Sequence, residues 1–442
     1  MARSRRRRVP TEPVEITVES LTQDGRGVAH RDGKTVFIHG ALPGEQVLFT
    51  YDRIQKRYDE GSVQQVLHPS PDRVEPRCPH FGVCGGCGMQ HLREEQQMRF
   101  KEQALQDVLE RIGKVAPEET LPPLVAGHWG YRRKARLGAK YVIKKGKVLV
   151  GFRERGTSFV TDLGGCEVLH PKVGHKITAF VELIEGLSIR DKVPQIEMSM
   201  GDTVCALIFR VLSPPDEADL ERLRVFGAEH GFVIYLQPGG PDSVHPLEGS
   251  PPELFYTLPE LELRLCFSPQ DFTQVNLELN RLMVERALAM LDPQPEERLL
   301  DLFCGIGNFT LPLATRAGQV TGVEGEAGLV ARARQNAQAN RLDNTRFYTA
   351  NLYGSLDNEP WLLERFDKVL LDPPRSGAQE ILPRLPGLGV ERILYISCYP
   401  STLARDAGIL VNELGYRMRS AGVMDMFPHT AHVESIALFE RR

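Results

Sequence analysis

The most informative segment of this chain is Asp301-Leu302-Phe303-Cys304-Gly305-Ile306-Gly307-Asn308-Phe309-Thr310. An apolar run leads into it, and a helix-forming sequence follows its two glycines. Glycines at a strand–loop–helix junction permit a tight turn and a close approach of the backbone to a ligand. The third glycine of a dinucleotide-binding fingerprint is missing, so the segment predicts a loop that binds a ligand without needing its phosphates.

The sequence around this junction predicts an α/β domain. A helix is expected over residues 275–291. Apolar runs then alternate with helical segments, at residues 298–303, 319–323, 345–348, 366–371 and 392–397. This alternation is typical of a doubly wound, Rossmann-like parallel sheet. Residues 416–426 and 433–439 are predicted to form two final strands, joined by a turn at Pro428-His429.

Candidate ligand-binding residues follow the carboxyl ends of the predicted parallel strands. They are Phe303 to Asn308, Glu324, Asn351, Asp372 and Cys398. Ligands of open α/β sheets bind at this edge. Glu324 follows Asp301 by 23 residues, where a carboxylate can accept hydrogen bonds from both ribose hydroxyls of a nucleoside. Because an adenosyl ligand without phosphates does not require the missing glycine, the pattern favours S-adenosylmethionine over NAD.

A thiol and a carboxyl group near the end of the chain are the candidates for catalysis. Cys398 ends an apolar run and precedes a helix start, where the positive end of the helix predicts a thiolate. The alternative is a buried cysteine that behaves as a small hydrophobic residue. Glu434 opens the last predicted strand, where it either faces a substrate beside Cys398 or is a solvated acid at a strand end.

Three of the eight cysteines lie close together, at Cys78, Cys84 and Cys87. The N-terminus lacks the apolar stretch of a signal peptide, which predicts a cytoplasmic protein with reduced thiols. A metal site is therefore expected in place of disulfide bonds. From spacing alone, a zinc site with His80 or His91 as fourth ligand and an iron–sulfur cluster remain equally open.

The length of 442 residues predicts about three domains. A basic tail spans residues 1–10, and residues 11–72 contain short alternating runs separated by turns, typical of a five-stranded oligonucleotide-binding (OB-like) barrel. A capping β-domain without a ligand is the alternative. Residues 73–265 are predicted to form a central α+β domain, and residues 266–442 the doubly wound domain. No apolar run is long enough for a membrane helix.

Positive charge is concentrated in two places, although the net charge is −4. One is the arginine-rich segment 3–8. The other is residues 131–155, with ten Lys or Arg residues and one acid, interleaved with Tyr131, Tyr141 and Phe152. Cations alternating with aromatic rings favour a surface that follows an RNA backbone and stacks on bases, and a solvated basic face is the alternative.

Four motifs of this chain together resemble those of the RNA uracil-C5 methyltransferases. They are Asp301-Leu302-Phe303-Cys304-Gly305, Asp372-Pro373-Pro374-Arg375, Ser397-Cys398-Tyr399-Pro400 and His432-Val433-Glu434-Ser435. The cysteine cluster and the N-terminal barrel, which looks like a TRAM domain, narrow the resemblance to the iron–sulfur members. Within these, the chain is most similar to bacterial enzymes that methylate a uridine of 23S ribosomal RNA. The resemblance covers the chain from about residue 11 to its end.

The resemblance implies a role for each candidate residue. Cys398 is then the nucleophile and Glu434 the base. The S-adenosylmethionine site is lined by Gln274, Phe303, Asn308, Glu324, Asn351 and Asp372. A [4Fe-4S] cluster is bound by Cys78, Cys84, Cys87 and Cys166.

The implied reaction is methylation of a 23S ribosomal RNA uridine at C5, by a monomer without a protein partner. One departure stands out, because Tyr399 occupies the position that is usually Asn in the family. A transfer-RNA substrate is one alternative. A non-catalytic RNA-binding or ribosome-assembly factor is the other, and Tyr399 is the feature that favours it.

Overall fold

The computed structural model describes residues 9–357 and 359–442. The arginine-rich segment 3–8 lies outside the described residues. The chain forms two compact units. The first contains the chain up to Lys101 together with Arg153–Phe159 and Phe427–His432, and the second contains Glu102–Phe152, Val160–Met426 and Val433–Arg442. The predicted domain boundaries remain a prediction.

The first unit contains the predicted N-terminal barrel. Its strands are β1 (Val14–Thr17), β2 (Ser20–Leu21), β3 (Gly27–Arg31), β4 (Lys34–His39), β5 (Gln46–Ile54) and β6 (Tyr58–His68), in the order β1-β5-β6-β4-β3-β2. Only Val18 and Glu19 separate β1 from β2, and their N–H groups donate to Glu45 and Val28. One bent strand therefore pairs with both β5 and β3, which closes a five-stranded barrel and confirms the prediction.

The barrel interior is filled by small and branched apolar side chains around Phe49. In β5, buried and less buried residues alternate from Gln46 to Thr50, as expected for a strand with one face turned to a core. The α-helix α1 (Glu94–Val108) begins in this unit and continues into the second, where a π-helical turn, Leu109–Gly113, extends it.

The second unit contains two larger sheets. The short strand β7 (Glu119–Thr120) belongs to the second of them, which has eight strands. The first sheet has the order β13-β12-β11-β10-β8-β9. Its strands are β8 (Lys134–Val142), β9 (Lys147–Gly151), β10 (Gln195–Met200), β11 (Cys205–Arg210), β12 (Phe232–Gln237) and β13 (His245–Pro246). The helices between these strands are α2 (Pro171–Gly174), α3 (Ile177–Glu185) and α4 (Glu217–His230). The rings of Phe180, Phe226 and Phe232 pack together and join α3 and α4 to β12.

A hairpin of β14 (Leu254–Leu258) and β15 (Leu263–Phe267) leads into the second large sheet. Its strands are β16 (Arg298–Leu302), β17 (Gln319–Glu324), β18 (Thr345–Thr349), β19 (Lys368–Leu371), β20 (Arg392–Ser397), β21 (Tyr416–Met424) and β22 (Glu434–Arg441). The helices are α5 (Leu277–Leu291), α6 (Thr310–Ala314), α7 (Ala327–Ala339) and α8 (Pro400–Asn412). Short 3-10 turns cover Ile143–Lys145, Arg190–Lys192, Pro241–Ser243, Pro259–Leu261, Pro360–Leu363 and Leu382–Leu388.

The strand order of this sheet is β18-β17-β16-β19-β20-β22-β21-β7. The strands β16 to β20 are parallel, and β22 returns antiparallel between β20 and β21. The central strands β16, β19 and β20 are almost wholly buried, as expected when helices cover both faces. The predicted α/β fold with its doubly wound sheet is confirmed. No helix among the described residues combines the length and the apolar character that crossing a membrane requires.

Candidate active site

The loops at the carboxyl edge of the parallel strands bring the predicted site residues to one edge of the sheet. Phe303 directly follows β16, Glu324 ends β17, and Asn351 comes two residues after β18. Asp372 directly follows β19, and Cys398 directly follows β20. The apolar runs of the sequence located these strand ends correctly, and parallel strand direction places all five on the same edge.

The glycine loop after β16 is anchored by hydrogen bonds at its start and has open space beside Gly305. The N–H groups of Phe303 and Cys304 both donate to the carbonyl of Val323, at 2.9 and 3.1 Å. Phe303 has a φ of +66°, a strained value for a side chain of this size, and such strain is concentrated at functional sites. Gly305, with a φ of +55°, has no atom within 4 Å of where a Cβ would lie. This loop therefore leaves room for a ligand against its backbone, whereas Gly307 is packed against Leu311.

Glu324 is positioned by the backbone of two loops. One carboxylate oxygen accepts the N–H of Gly305 at 3.2 Å, and the other accepts the N–H of Glu326 at 3.1 Å. Each carboxylate oxygen has a second lone pair, so the group can still accept hydrogen bonds from two hydroxyls. This geometry suits the predicted contact with a ribose.

Asn308 is fixed by side chains that the sequence did not single out. Its amide forms a reciprocal pair with the amide of Asn280, at 2.9 and 3.0 Å, and its oxygen also accepts the hydroxyl of Tyr256 at 2.8 Å. These bonds tie the glycine loop to α5 and to the β14–β15 hairpin. Both lone pairs of the Asn308 oxygen are used, so its side chain mainly holds the loop in place.

The remaining predicted cofactor residues lie in neighbouring loops. Gln274 is half-buried in the loop between β15 and α5. Asn351 is exposed, and its side-chain oxygen accepts the N–H of Tyr353 at 3.1 Å. The Tyr353 ring lies 5.8 Å from that of Phe303, so aromatic surface borders the glycine loop.

Two carboxyl groups at this edge have raised pKa values. Burial is the largest cause in both, and it raises the pKa of Asp301 to about 8 and that of Asp372 to about 7. Asp301 is fully buried and accepts the hydroxyl of Thr310 at 2.5 Å through one oxygen, while its other oxygen has no hydrogen-bond partner among the described residues. Burial therefore favours the protonated form of Asp301.

Cys398 and Glu434 lie at the end of one antiparallel ladder. Ser397 of β20 pairs with Ser435 of β22, and the Ser435 hydroxyl donates to the Ser397 carbonyl at 3.2 Å. Cys398 and Glu434 are the next residues beyond this pair, so their side chains are expected to be neighbours on one face. Glu434 is buried, and burial followed by the charge of Asp372 raises the pKa of its carboxyl well above the ordinary value.

The predicted stabilisation of a Cys398 thiolate by the helix end is wrong. Burial, and next the negative charges of Glu434 and Asp372, raise the pKa of the Cys398 thiol to about 11, although Arg375 acts in the opposite direction. Helix α8 begins at Pro400 with Tyr399 as its N-cap, so Cys398 lies one residue before the cap. The effect of a helix end fades within its first turn, and here desolvation and nearby carboxyl groups exceed it.

A buried carboxylate on α8 holds the loop that follows β19. Asp406 accepts the N–H of Ala378 at 2.7 Å and the hydroxyl of Tyr395 at 2.6 Å, and it pairs with Arg405. Arg405 in turn donates to the carbonyl of Ser376 at 2.8 Å. These contacts fix the far end of the loop that begins at Asp372. Nothing in the sequence singles out Asp406, because a charge on an amphipathic helix usually faces solvent.

The cysteine-rich loop of the first unit is closely folded. The N–H of Cys84 donates to the His80 carbonyl, and the N–H of Gly86 donates to the Cys84 sulfur at 3.4 Å. The buried ring of His91 lies 5.1 Å from Phe81, and neither of its nitrogens has a hydrogen-bond partner among the described residues. Cys78, Cys84 and Cys87 belong to the first unit, and Cys166 belongs to the second.

All eight cysteines in the described part of the chain are thiols rather than disulfides. Across residues 9–357 and 359–442, no three Cys, His, Asp or Glu side chains are grouped so that they could hold one metal ion. The loop nevertheless contains three thiols, the donor type that iron–sulfur clusters use, and a backbone N–H directed at one of them.

The basic stretch 131–155 is divided by internal ion pairs. Arg133 pairs with Asp202, Arg136 with Glu197, and Lys147 with Asp162, while the Lys134 ammonium donates to carbonyls of the loop that contains Gln274. Tyr131 is buried, and the half-buried ring of Phe152 lies under the guanidinium of Arg132. The exposed cations that remain for a polyanion include Lys140, Lys144 and Lys145.

Comparison with known proteins identifies relatives along the whole chain. A family model described as tRNA (uracil-5-)-methyltransferase matches residues 259–354 and 356–442, and a TRAM domain model matches residues 8–63. The chain is 54% identical over 440 residues to the 23S rRNA (uracil(1939)-C(5))-methyltransferase RlmD of Methylococcus capsulatus, covering 99% of both chains. It is 54% identical to the RlmD protein of Alkalilimnicola ehrlichii, covering 99% of this chain and 98% of that one.

A solved structure shares the fold over nearly the whole chain. It is the Pyrococcus abyssi tRNA (uracil-54, C5)-methyltransferase in complex with S-adenosyl-L-homocysteine, with a TM-score of 0.74. The match covers 96% of this chain and 99% of the other, at 23% sequence identity. At that identity the similarity supports the fold alone.

Proposed function

This chain belongs to the RlmD family of 23S rRNA (uracil-C5)-methyltransferases, and we propose that it methylates C5 of a 23S ribosomal RNA uridine to give 5-methyluridine. The target would be the uridine equivalent to position 1939, which its relatives' names specify. S-adenosylmethionine would supply an electrophilic methyl group on a positively charged sulfur. The observation that carries the proposal is the placement of Cys398 and Glu434 at the end of one strand ladder, on the same sheet edge as the glycine loop.

The loops of this edge offer a suitable site for the cofactor. Gly305 leaves open space against its backbone, and the anchored Glu324 carboxylate would accept the ribose hydroxyls. Phe303, Asn351, Asp372 and Gln274 would line the remaining sides, and Asn308 would keep the glycine loop in shape.

Cys398 would provide the nucleophile that uracil C5 requires. C5 is too weak a nucleophile to accept a methyl group unaided. After the Cys398 thiol gives its proton to solvent, attack of the thiolate at C6 would place an electron pair on C5 and the adjacent carbonyl. C5 would then take the methyl group, and the sulfonium of the donor would leave as a neutral thioether. Covalent catalysis of this kind divides one difficult substitution into easier steps.

Glu434 would remove the C5 proton in the second half of the reaction. As the proton moves to the carboxylate, the double bond re-forms and the bond between sulfur and C6 breaks, which regenerates Cys398. Burial makes Glu434 a stronger base than an exposed glutamate, because its pKa is raised. A general base of matched pKa typically contributes about 10²–10⁴-fold to the rate.

We also propose that Cys78, Cys84, Cys87 and Cys166 bind a [4Fe-4S] cluster. Two observations support the cluster: all four cysteines are free thiols, and the N–H of Gly86 donates a hydrogen bond to the Cys84 sulfur. The cluster would serve as a structural clamp or as a redox sensor. Iron and acid-labile sulfide analysis of anaerobically purified protein tests the proposal, and one zinc per chain without sulfide would favour the zinc site instead.

The mode of RNA binding remains part of the proposal. The target base must leave its stack to reach an enclosed site, which favours a loop or bulge as substrate. The barrel and the exposed lysines of residues 131–155 would contact the backbone. We propose that the protein acts as a monomer in the cytoplasm.

The decisive experiment is transfer of labelled methyl from S-adenosylmethionine to 23S ribosomal RNA and to transfer RNA, both lacking 5-methyluridine. Nucleoside analysis should find labelled 5-methyluridine in the ribosomal RNA alone. Label in transfer RNA alone would overturn the substrate and keep the chemistry. No label in either RNA, from protein with its metal site loaded, would refute the enzymatic function and favour an RNA-binding role.

A further inference from the structure

An exposed aromatic ring lies directly beside the candidate nucleophile. Tyr399 follows Cys398 in the chain and is 46% exposed, although it lies between the buried strand β20 and the half-buried start of α8. Tyr353, in the loop that follows β18 at the same edge, is also exposed. An aromatic ring in solvent beside the candidate nucleophile is available to a ligand that binds there.

The backbone of Tyr399 is held in place from both sides. Its N–H donates to the Ser397 hydroxyl at 3.1 Å, and its carbonyl accepts the hydroxyls of Ser397 and Thr402 at 3.1 and 2.9 Å. With φ at −141° and ψ at 95°, Tyr399 is extended and caps α8. Only the two side-chain torsions remain to be set when the ring meets a ligand, so the entropic cost of ordering it is small.

The chemistry of the proposed substrate supplies a partner for such a ring. A uridine that leaves its stack exposes the faces of the bases on either side of it, and an aromatic side chain replaces the lost stacking regardless of base identity. Neighbouring residues of an extended segment point to opposite sides, so the Tyr399 ring and the Cys398 sulfur are expected to face different parts of the RNA.

We propose that Tyr399 is a stacking platform for a base that flanks the target uridine, an inference that rests on the proposed function. Tyr399 is thereby a positioning residue, because it fixes the RNA so that the target reaches Cys398 and takes no part in bond making.

The test compares Tyr399→Ala and Tyr399→Phe with the unaltered protein. The RNA is an unmethylated 23S rRNA fragment that contains the target loop. Stacking on an aromatic side chain is worth about 1–3 kcal/mol per base, so Tyr399→Ala should raise the Kd and KM for this RNA about fivefold or more. Tyr399→Phe should remain within about twofold, because it keeps the ring. The kcat at saturating RNA should change little, since the contact is made equally before and during the reaction.

A matched control and a double-mutant cycle separate stacking from structural damage. Leu363 is 91% exposed and ends a 3-10 turn that precedes β19, at the opposite edge of the sheet, so Leu363→Ala should leave the Kd for the RNA unchanged.

Replacing each flanking base in turn by an abasic nucleotide should weaken binding of the unaltered protein at one position. At that position, the abasic nucleotide should weaken RNA binding by the Tyr399→Ala variant little further, because the stacking contact is already lost. Unchanged S-adenosylmethionine affinity would show that the variant is folded.

Two results would overturn this role. One is a Kd of Tyr399→Ala within about twofold of the unaltered protein, and the other is an equal loss at every abasic position in both proteins. Because binding is measured without turnover, these results are independent of the methyl-transfer test. A protein that makes no 5-methyluridine would refute the proposed function and leave the stacking measurement interpretable.

Discussion

The raised pKa of Cys398 leads to a quantitative prediction about its reactivity. With a pKa of about 11, the thiolate makes up about 3 in 10,000 of the molecules at pH 7.5. An ordinary thiol, with a pKa of about 8.5, is about one tenth ionised at that pH. Because the thiolate is the reactive form but becomes more nucleophilic as its pKa rises, alkylation of Cys398 without substrate should be slower than that of an ordinary thiol by roughly 20-fold, and by no more than about 300-fold.

The measurement is the rate of iodoacetamide labelling of Cys398, followed by mass spectrometry of the peptide that contains it. The logarithm of the rate should rise by about one per pH unit from pH 7 to 10 without a plateau, because the thiol remains mostly protonated throughout. Arg375→Ala should slow the labelling, since Arg375 is the cation that lowers this pKa. Arg384→Ala is the matched control, because Arg384 pairs with Asp357 and does not contribute to the Cys398 pKa.

The slope of the profile separates ionisation from steric access. A partly hindered thiol with an ordinary pKa would react slowly but would reach a plateau above pH 9. A plateau that begins below pH 10 would refute the argument that burial and carboxyl groups suppress the thiolate. Equal slowing by Arg375→Ala and Arg384→Ala would show that the effect of Arg375 is not local.

Further predictions concern the same edge of the sheet. Cys398→Ser should abolish methyl transfer while S-adenosylmethionine still binds, and Glu434→Gln should accumulate a covalent protein–RNA adduct, visible on a denaturing gel. Asp301 has a pKa of about 8 in the folded protein and about 3.9 in the unfolded chain. Its contribution to the free energy of unfolding is therefore complete below about pH 4 and is lost by about pH 8. The measurement is urea unfolding at pH 4.5 and pH 7.5. The free energy of unfolding should fall between these pH values by up to about 4 kcal/mol more in the unaltered protein than in Asp301→Asn. Asp406→Ala leaves two buried donors unpaired and should cost about 2–4 kcal/mol of unfolding free energy with a loss of kcat, whereas Tyr395→Phe should cost about 1 kcal/mol.

The sequence was sufficient to predict that the candidate site residues lie at one edge of the sheet, because their positions follow from local patterns. Apolar runs ended by a turn mark the ends of strands, and parallel strand direction brings residues such as Glu324 and Asp372 to one edge. The OB-like barrel was predictable for the same reason, since alternating runs and glycine turns are local signals.

The supporting contacts could not be predicted, because they join elements that are distant in the chain. Asn280 and Tyr256 bond to Asn308 from positions 28 and 52 residues away, and nothing in their own segments distinguishes them from other polar residues. The same holds for the ion pairs of the basic stretch 131–155, where Asp202 and Glu197 pair with Arg133 and Arg136 from a neighbouring strand and its connecting turn. The thiolate prediction failed because it weighed one helix end and could not include the carboxyl groups that folding places nearby.

The surroundings of Cys398 relate its ionisation to the positive charge of the proposed cofactor. Burial is the largest cause of the raised pKa of Cys398 and of Asp301, and neighbouring carboxyl groups add to both shifts, so this edge of the sheet disfavours any additional negative charge. A cation bound here would lower the pKa of Cys398, and by thermodynamic linkage ionisation of the thiol would strengthen binding of that cation by the same free energy. The arrival of a methyl donor on a positively charged sulfur would thus promote ionisation of the thiol. The high pKa of Cys398 is therefore consistent with a nucleophile that remains unreactive until the cofactor is bound.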